Sequence, residues 1–521
     1  MPSVELEPSS ARAYSTRWPI APPMLALAML TVVVHGRLIF AEFVWDDVFL
    51  IERNPGLMHF GTAWEMAWGD FFGQSHATRS GYLRPVPTLL NALTVWCFGP
   101  SSIAFHCIQI ILHLLVIGLS LLVFRAIGFT AWASTAALAL FSVHPMQVEV
   151  LAFVSCRPEL LAATFVMLTV LCLQTFQRDG RIRWIVYGCV ALVMGILSKE
   201  HALMVIPALC LPIFGHPEIS RRRFLIWLSI SALIVLGLRT VWMAGSPSRG
   251  ADIIDGLLRA LNLLGFYLQQ LVVVDGPRCL YTYLKLSSWS LQTWLAIATI
   301  ASIVYAFRTR SMLLKAYGSL ASWFVLFLIP VLHLIPIGTV AADRYLYIPL
   351  LGACGLIALL FDRLDMRSRR EKFVYSVFLL ACMGLFSLGA AHRGSDWSNE
   401  EALWSAELSQ PPRQYQALVE LGTVYAETKR SGAALKAYRL AWQMRPGGGV
   451  LFRNLLRLES GHLPTDIRQP FLRDCLDPKQ QPRTCTRWRD RLVVVQPKSP
   501  LIALLDARIN ALEMKQMSTS H

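Results

Sequence analysis

Apolar residues recur along the chain in runs that are as long, or nearly as long, as the roughly 20 residues a helix needs to cross a bilayer. The runs are separated by short polar segments. This pattern predicts an all-α, polytopic membrane protein with about eleven transmembrane helices. Three of the runs are shorter than a full crossing, so each either stops partway or continues into the next segment. The predicted spans are 20–40, 102–124, 131–144, 158–176, 184–197, 201–215, 224–244, 291–307, 316–338, 345–361 and 373–391.

Composition supports a bilayer as the solvent of this chain. Of its 521 residues 55% are hydrophobic and 16% are charged, and the mean hydropathy is +0.48. Soluble domains carry about 25% charged residues, so an ordinary cytosolic enzyme and a disordered chain are both excluded. A net charge of +15 in a soluble protein would suggest nucleic acid as a partner. In a membrane protein it indicates basic cytoplasmic loops, and we predict no nucleic-acid binding.

Arginine and lysine clusters predict the orientation. They lie at 178–183, 221–223, 308–315 and 363–372. Eleven spans and a cytoplasmic N-terminal tail over 1–19 place all four clusters on the cytoplasmic side, and one span more or fewer breaks that agreement. Residues 20–392 then form the membrane domain, and residues 393–521 an extracytoplasmic domain.

The most informative polar pair follows the first span. Asp46 and Asp47 come directly after Trp45, at the beginning of a long first outer loop over 41–101. They are either an acidic pair in a solvated loop or catalytic carboxylates at the membrane surface. Two carboxylates at the headgroup level are costly without a function, and the neighbouring tryptophan is typical of that level.

Charged residues also interrupt the apolar runs elsewhere on the predicted outer face. Arg157 and Glu159 begin a span, where they could form a phosphate site or a local ion pair with a snorkelling arginine. Lys199 and Glu200 lie between two short apolar helices, a costly position unless they face a wet cavity. Arg344 precedes a tyrosine pair and is either functional or an interfacial anchor. Further polar residues on this face are Arg84, His144 and Glu149.

The sequence gives little support for a metal site or for nucleotide hydrolysis. His106 and His113 share a helix face, but they are two turns apart, too far for one ion, and we expect histidines that pack within the bundle. We assign no metal ligands and leave open whether a divalent ion is used. Walker A, GxSxG and HExxH patterns do not occur, which argues against nucleotide hydrolysis and membrane proteolysis. Whether Cys475 and Cys485 pair also stays open.

The C-terminal segment predicts a small helical domain. Residues 415–448 fit one tetratricopeptide unit, since small, aromatic and proline residues fall where that helix–turn–helix needs them. Stable arrays usually need about three copies, and we find one.

Seven short motifs occur in a fixed order along the chain. They are Trp45-Asp46-Asp47 with Ile51 and Asn54-Pro55, Tyr82-Leu83-Arg84-Pro85, Phe105-His106 with His113, His144-Pro145 with Glu149, Arg157 with Glu159-Leu160, Leu197-Ser198-Lys199-Glu200, and Arg344-Tyr345-Leu346-Tyr347 with Pro349. The ordered set resembles the transmembrane and tetratricopeptide-repeat (TMTC-like) glycosyltransferases, which have the multi-span GT-C architecture and are related to protein O-mannosyltransferases. The resemblance covers roughly 35–350 and the single repeat. Eukaryotic members carry many repeats.

The resemblance implies a membrane hexosyltransferase. Such an enzyme moves a sugar, typically mannose, from a polyprenyl or dolichyl phosphate to a protein Ser/Thr hydroxyl. A lipid-linked sugar is then the donor, membrane lipid surrounds the enzyme, and an acceptor protein docks on the C-terminal domain. The compact tail indicates a bacterial inner-membrane protein with a periplasmic C-terminus, or an ER protein if the chain is eukaryotic.

The resemblance further implies an acidic catalytic residue in the first outer loop. We expect Asp46 to be the base and Asp47 to orient the base or the acceptor, although the choice between these neighbours is nearly even. A departing phosphate needs positive charge, for which the candidates are Arg157, Lys199 and Arg344. The residues expected to orient the sugar or hold those cations are Arg84, His144, Glu149, Glu159 and Glu200.

Other functions remain open. The acceptor could be a lipid or an envelope glycan. A transporter or flippase would place polar residues in both halves of the bundle and often shows an internal repeat, whereas these cluster on one face. A scaffold would leave Asp46, Lys199 and Arg344 without a role.

Overall fold

The structure, a computed structural model, describes residues 21–72, 81–215, 219–242, 253–272, 278–282, 284, 286, 289–334, 338–363, 369–445 and 449–458. This part of the chain consists of helices, turns and loops, without a β-strand. It divides into two compact units, Met1–Ser398 and Asn399–His521. The predicted N-terminal tail and all of 459–521, which includes the cysteine pair at 475 and 485, lie outside the described residues.

The helices follow the apolar runs. Their bounds in the first unit are α1 Ala21–His35, α2 Phe60–Ala67, α3 Pro85–Phe98, α4 Ser102–Ala126, α5 Ala131–Val143, α6 Val148–Ala152, α7 Arg157–Asp179, α8 Arg183–Ser198, α9 Val205–Ala208, α10 Ile219–Trp242, α11 Ile253–Gln270, α12 Leu291–Arg308, α13 Met312–Leu328, α14 Tyr347–Arg363 and α15 Arg369–Asp396. In the second unit they are α16 Glu400–Ser409, α17 Tyr415–Glu427, α18 Ser431–Met444 and α19 Gly449–Leu458.

Within the described residues, seven helical segments are long and apolar enough to cross a membrane, and an eighth is added if one bent pair counts as a span. A multi-pass membrane protein is therefore supported, but the predicted count of about eleven is not confirmed. The seven segments are Ala21–Phe40, Ser102–Ala126, Val154–Asp179, Leu291–Arg308, Met312–Val331, Asp343–Asp362 and Phe373–Asp396.

The structure does not form the single helix predicted over 201–215. This segment is broken into short turns, Glu200–Met204, Val205–Ala208 and Pro212–Phe214, instead of one helix. Pro207 and Pro212 lack the backbone N–H that a continuous helix needs, and Gly215 has a φ of 100°. Hydropathy alone could not separate these turns from a short span.

The predicted span over 131–144 is half of a bent helix pair. Helices α5 and α6 meet at an angle of 58° across His144 and Pro145. His144 is extended, with φ −64° and ψ 130°, because the residue before a proline is pushed out of the helical region. The bend turns Glu149, on α6, towards the segment that carries Arg344.

Helix α7 lies at the centre of the first unit. It packs against α3, α4, α8, α10 and α14, and its N-terminal residues Arg157 and Glu159 are buried. By contrast, α1, α10 and α15 carry many exposed apolar side chains, including Val33, Leu233 and Phe378. Exposed apolar helix faces of this kind suit contact with lipid.

Helix α11 was not predicted. It lies between the predicted spans 224–244 and 291–307, in a stretch where no span was predicted. Its buried residues Ala260, Leu263, Leu264 and Tyr267 recur at helical spacing and join a core that includes Leu346.

The second unit contains a helical hairpin, α17 and α18, at the position predicted for a tetratricopeptide unit. Gly422 allows its close packing, since a Cβ there would lie 2.3 Å from Tyr438 Cε1. The assignment of this hairpin as a tetratricopeptide unit stays a prediction.

Candidate active site

The first unit holds a cavity of about 550 Å³ that is lined by residues from well-separated stretches of chain. Six of the ten predicted site residues line it, from the first outer loop, the N-terminus of α7, the end of α8 and the turn before α14. They are Asp46, Arg84, Glu159, Lys199, Glu200 and Arg344. We call this the central cavity. Its volume is in the range of ligand sites, about 300–1,000 Å³.

The two neighbouring aspartates lie in different environments. Asp46 lines the central cavity, whereas Asp47 is completely buried beside it. Trp45, which precedes them, has a φ of 55°, an uncommon value for a bulky residue. Its indole stacks on Phe153, with the ring centroids 5.4 Å apart. Backbone strain of this kind is frequent at functional sites.

Asp47 fixes the turn that leads into α7. Its Oδ2 accepts a hydrogen bond from Val154 N at 2.9 Å, and its Oδ1 accepts from Ser155 N at 2.7 Å and from Ser155 Oγ. Burial nevertheless raises the pKa of Asp47 to about 7, against these hydrogen bonds. The Asp47 carboxyl group thus anchors the first outer loop to the start of α7.

A chain of ion pairs forms one wall of the cavity. Lys199 Nζ donates to Glu159 Oε1 at 2.6 Å, and Arg344 Nε lies 3.8 Å from the same oxygen. Arg344 N donates to Glu149 Oε2 at 2.8 Å, and its Nη1 donates to Glu149 Oε1. Glu159 Oε2 is buried without a hydrogen-bond partner among the described residues. Two cations are thereby held at the cavity by carboxylates that bridge three helices.

Burial affects the titration of the groups at the end of α8. It lowers the pKa of Lys199, although Glu159 acts in the opposite direction. Burial and the charge of Lys199 lower the pKa of His201 well below its usual range, so this imidazole is neutral. The Lys199 ammonium lies 5.0 Å from the centroid of the Tyr345 ring, which also contacts His201 edge-on.

Arg84 differs from the other cations of the cavity. Its guanidinium carbon lies 4.9 Å from the centroid of Tyr82 and 5.3 Å from that of Phe71. Among the described residues it has no ion pair, and its Nε is buried without a hydrogen-bond partner. The aromatic rings orient the Arg84 guanidinium at the cavity.

Arg157 was predicted to bind the donor phosphate, but the structure places it outside the central cavity. It is fully buried in the bundle, with Nε donating to Gln109 at 3.0 Å and Nη1 to Asn91 at 2.8 Å. Nη2 donates to the carbonyl of Phe105 at 3.3 Å, and the guanidinium lies over that ring. Its donors bond to neutral groups of α3 and α4, so the guanidinium connects these helices to α7.

His144 and Glu149 also do not line the cavity. His144 Nδ1 accepts a hydrogen bond from Met146 N, and its Nε2 lies 3.2 Å from the carbonyl of Leu271. It stabilises the bend between α5 and α6. Glu149 contacts the cavity residue Arg344. Holding a cation in this way is one of the two roles predicted for Glu149.

His106 and His113 pack within the bundle, as predicted. His106 contacts the carbonyls of Ser102 and Ala152, and His113 Nδ1 lies 2.7 Å from the Tyr347 hydroxyl. The described residues contain no group of three or more side chains suited to hold a metal ion.

Sequence reasoning missed the tyrosines that hold the turn before α14. Tyr267 OH accepts from Ala342 N at 3.2 Å, and Tyr281 OH donates to Asp343 Oδ1 while accepting from Arg278 N at 2.9 Å. Both tyrosines are buried. Two hydroxyl groups therefore fix the backbone immediately before Arg344. The only signal in the sequence was tyrosine within an otherwise apolar stretch.

Chemically, the arrangement joins three carboxylates, three cations and aromatic rings around one space. Guanidinium and ammonium groups bind phosphate, and a carboxylate can remove a proton from a hydroxyl. Trp45, Phe72, Tyr82, Phe153 and Tyr345 supply flat apolar surfaces to the same cavity.

Comparison with known proteins gives relatives over most of the chain. Residues 80–243 match the PMT_2 family model, described as dolichyl-phosphate-mannose-protein mannosyltransferase. The chain is 25% identical over 452 residues to Caenorhabditis elegans protein O-mannosyl-transferase F38B6.6, covering 81% of this chain and 63% of that protein. It is 23% identical over 496 residues to mouse protein O-mannosyl-transferase TMTC4, covering 81% and 66%. It thus spans less than two thirds of the length of these relatives.

Among solved structures, the Archaeoglobus fulgidus oligosaccharyltransferase tethered with an acceptor peptide matches with a TM-score of 0.40 and 15% sequence identity. That match covers 80% of this chain and 58% of the archaeal one. The sequence matches confirm the resemblance predicted from the motifs: residues 80–243 match the PMT_2 model, and most of the chain is similar in sequence to TMTC protein O-mannosyl-transferases.

Proposed function

We propose that this protein is a membrane glycosyltransferase that moves a sugar from a polyprenyl-phosphate donor to an acceptor hydroxyl, that of a protein Ser or Thr. The observation that carries the proposal is the meeting of Asp46 with Arg84, Lys199 and Arg344 at one cavity. A base for the acceptor and cations for a departing phosphate are the two things this reaction requires. The homology to O-mannosyl-transferases supports mannose as the sugar.

In the proposed reaction, the acceptor oxygen attacks the anomeric carbon of the sugar while Asp46 takes the hydroxyl proton. The bond between that carbon and the phosphate oxygen breaks, and the phosphate leaves with the electron pair. Arg84, Lys199 and Arg344 stabilise the charge that develops on the phosphate. One carboxylate is sufficient when the anomeric centre is inverted in a single displacement.

The roles of the cations differ. Lys199 and Arg344 are already paired with Glu159 and Glu149, which keeps both charged in a buried place. Arg84 carries its charge without an ion pair among the described residues, so a phosphate would be its counter-ion. Arg84 therefore replaces Arg157 in the proposed phosphate site. Glu159 Oε2, which has no partner in the described part of the chain, is the proposed acceptor for a sugar hydroxyl.

The proposed site faces the non-cytoplasmic side of the membrane, as the basic loops predict. The prenyl chain of the donor would lie between apolar helices, with its phosphate at the surface. The eleven-span topology, the tetratricopeptide hairpin, and a bacterial inner-membrane location remain parts of the proposal. An acceptor that is a lipid or an envelope glycan is the alternative that the experiment must distinguish.

The test is sugar transfer by the purified protein in nanodiscs. Donors are polyprenyl phosphates carrying radiolabelled mannose or other hexoses, and acceptors are Ser/Thr peptides, a lipid extract and an envelope-glycan fraction, each with and without chelator. We expect transfer from a polyprenyl phosphate, and a loss on the order of 100- to 10,000-fold in Asp46→Asn.

The matched control is Glu52→Gln, which removes a nearby exposed carboxylate that does not line the cavity. It should behave as wild type. Wild-type turnover in Asp46→Asn, or no transfer from any lipid-linked sugar, would refute the proposal.

A further inference from the structure

The first outer loop contains a second cavity, of about 540 Å³. We call it the loop cavity. It is formed by the segment that follows Asp46, by helix α2 and the residues after it, and by the start of α3. Its lining consists of Phe49, Leu50, Arg53, Asn54, Pro55, Thr62, Glu65, Met66, Gly69, Asp70, Phe71 and Thr88. Neither the proposed reaction nor the comparisons give it a role.

Most polar groups of the loop cavity are already used to build the loop. Asn54 accepts from Gly56 N and donates to the Leu50 carbonyl. Asp70 accepts from Phe72 N and Gly81 N. Thr62 Oγ1 donates to the Gly56 carbonyl. These hydrogen bonds hold the loop in one conformation and so define the walls of the cavity.

The lining that faces a ligand combines an apolar floor with two carboxylates, Glu65 and Asp70, against one guanidinium, that of Arg53. Phe49, Leu50, Met66 and Phe71 supply the apolar surface. Glu65 is exposed at the cavity, with no ion pair or hydrogen bond among the described residues. Carboxylates thus outnumber cations in the loop cavity, whereas the central cavity is lined by three cations, Arg84, Lys199 and Arg344, and by as many carboxylates. The loop cavity suits a ligand with an apolar part and a positive charge.

The loop cavity lies within reach of the proposed base. Phe49 follows Asp46 by three residues, so their Cα atoms are at most about 11 Å apart. The intervening backbone begins a helical turn at Val48, which shortens the distance further. An extended peptide covers about 3.3–3.6 Å per residue. With its hydroxyl at Asp46, such a peptide would place a side chain three or four residues away at the loop cavity.

The two cavities also share a wall. Phe71 lines the loop cavity, and the guanidinium of Arg84, which lines the central cavity, lies over the Phe71 ring at 5.3 Å. A ligand in the loop cavity would therefore touch the ring that orients a proposed phosphate-binding cation.

We propose that the loop cavity binds the acceptor polypeptide, and that it selects acceptors with a basic or apolar side chain three or four residues from the modified Ser or Thr. This inference rests on the proposed transferase function and adds a site for the acceptor to it.

The test compares peptides that carry Lys, Gln or Glu at positions three and four residues on either side of one Thr. Transfer is measured at saturating donor for wild type, Glu65→Lys and Phe49→Ala, and Glu52→Gln is the exposed control outside the cavity. In wild type, the Lys peptide should have a two- to fivefold lower KM than the Glu peptide, about the effect of one exposed ion pair. Glu65→Lys should reverse that preference.

Phe49→Ala should raise the acceptor KM for all peptides by about tenfold, as expected for loss of an aromatic contact. Donor KM should not change in either variant. A fluorescent Lys peptide should bind wild type without donor and bind Phe49→Ala more weakly, which provides a readout independent of catalysis.

The outcomes separate the two proposals. If wild type transfers no sugar from any lipid-linked donor, the proposed function fails. If transfer to peptides occurs but neither variant changes acceptor KM or peptide preference, the loop cavity is not the acceptor site. Transfer to a lipid or glycan acceptor alone would likewise overturn this inference while leaving the transferase intact.

Discussion

The sharpest prediction separates two adjacent carboxylates. Asp46 lines the central cavity and is the proposed base, whereas Asp47 is buried and accepts three hydrogen bonds from Val154 and Ser155. The perturbation is Asp→Asn at each position in turn. The side-chain size is nearly unchanged, so each variant tests one hydrogen-bonding group and not packing.

The magnitude for Asp47→Asn follows from its donors. An amide oxygen can replace Oδ1 and accept from Ser155. The amide NH₂ would then face the Val154 N–H, which leaves that donor and the amide itself unsatisfied in a buried place. Each unsatisfied buried group costs about 1–3 kcal/mol, so the free energy of unfolding should fall by about 2–6 kcal/mol. Asp46→Asn should leave stability unchanged.

The assay pairs thermal unfolding, followed by intrinsic tryptophan fluorescence in detergent, with sugar transfer on folded protein. We expect a lower melting temperature for Asp47→Asn, and a normal melting temperature with lost transfer for Asp46→Asn. If Asp47→Asn melts like wild type and is inactive while Asp46→Asn is active, the roles are reversed and the reasoning from burial is refuted.

Three more predictions concern charge. Because burial raises the pKa of Asp47 from 3.8 to about 7, the stability it contributes is full below about pH 4 and is lost as pH rises through 7. Melting temperatures measured from pH 5 to 8 should therefore decline, and less so in Asp47→Asn. Glu159→Gln leaves the buried Lys199 unpaired, so thermal unfolding should report a loss of about 3–5 kcal/mol. Arg84→Ala should raise the donor KM by about 10- to 100-fold, as for lost hydrogen bonds to a charged group, with an unchanged melting temperature. Arg157→Ala should instead lower the melting temperature and leave the donor KM unchanged, because its guanidinium joins helices. Equal effects of the two arginine variants in both assays would contradict their separate assignments.

Much of the site could be predicted because charge inside apolar sequence is costly. Asp46, Lys199 and Arg344 stand out on that ground alone, and they line one cavity in the structure. On the same ground Arg157 was predicted to bind the donor phosphate, but it lies outside the central cavity. Its partners Gln109 and Asn91 lie on other helices, and a sequence does not show which distant amides will satisfy a buried guanidinium.

The topology was predicted less well than the site. Hydropathy registers apolar content but not backbone continuity, so the proline-broken segment 201–215 looked like a short span. Helix α11 was missed because polar residues interrupt its apolar positions, so hydropathy did not identify it as a span. The tyrosine contacts at 342–343 depend on how α11, which carries Tyr267, and the later residue Tyr281 pack against the turn before α14, which no local pattern encodes.

The bond between Glu149 and Arg344 joins residues that are 195 positions apart. During synthesis Glu149 emerges long before its counter-ion, and a carboxylate in an apolar bundle is unfavourable until that partner arrives. A chain that stops before Arg344 therefore lacks one wall of the central cavity and also keeps an uncompensated charge among its early helices. Assembly of the bundle and formation of the cavity thus depend on the same residue, so truncated products should lack the cavity and assemble poorly.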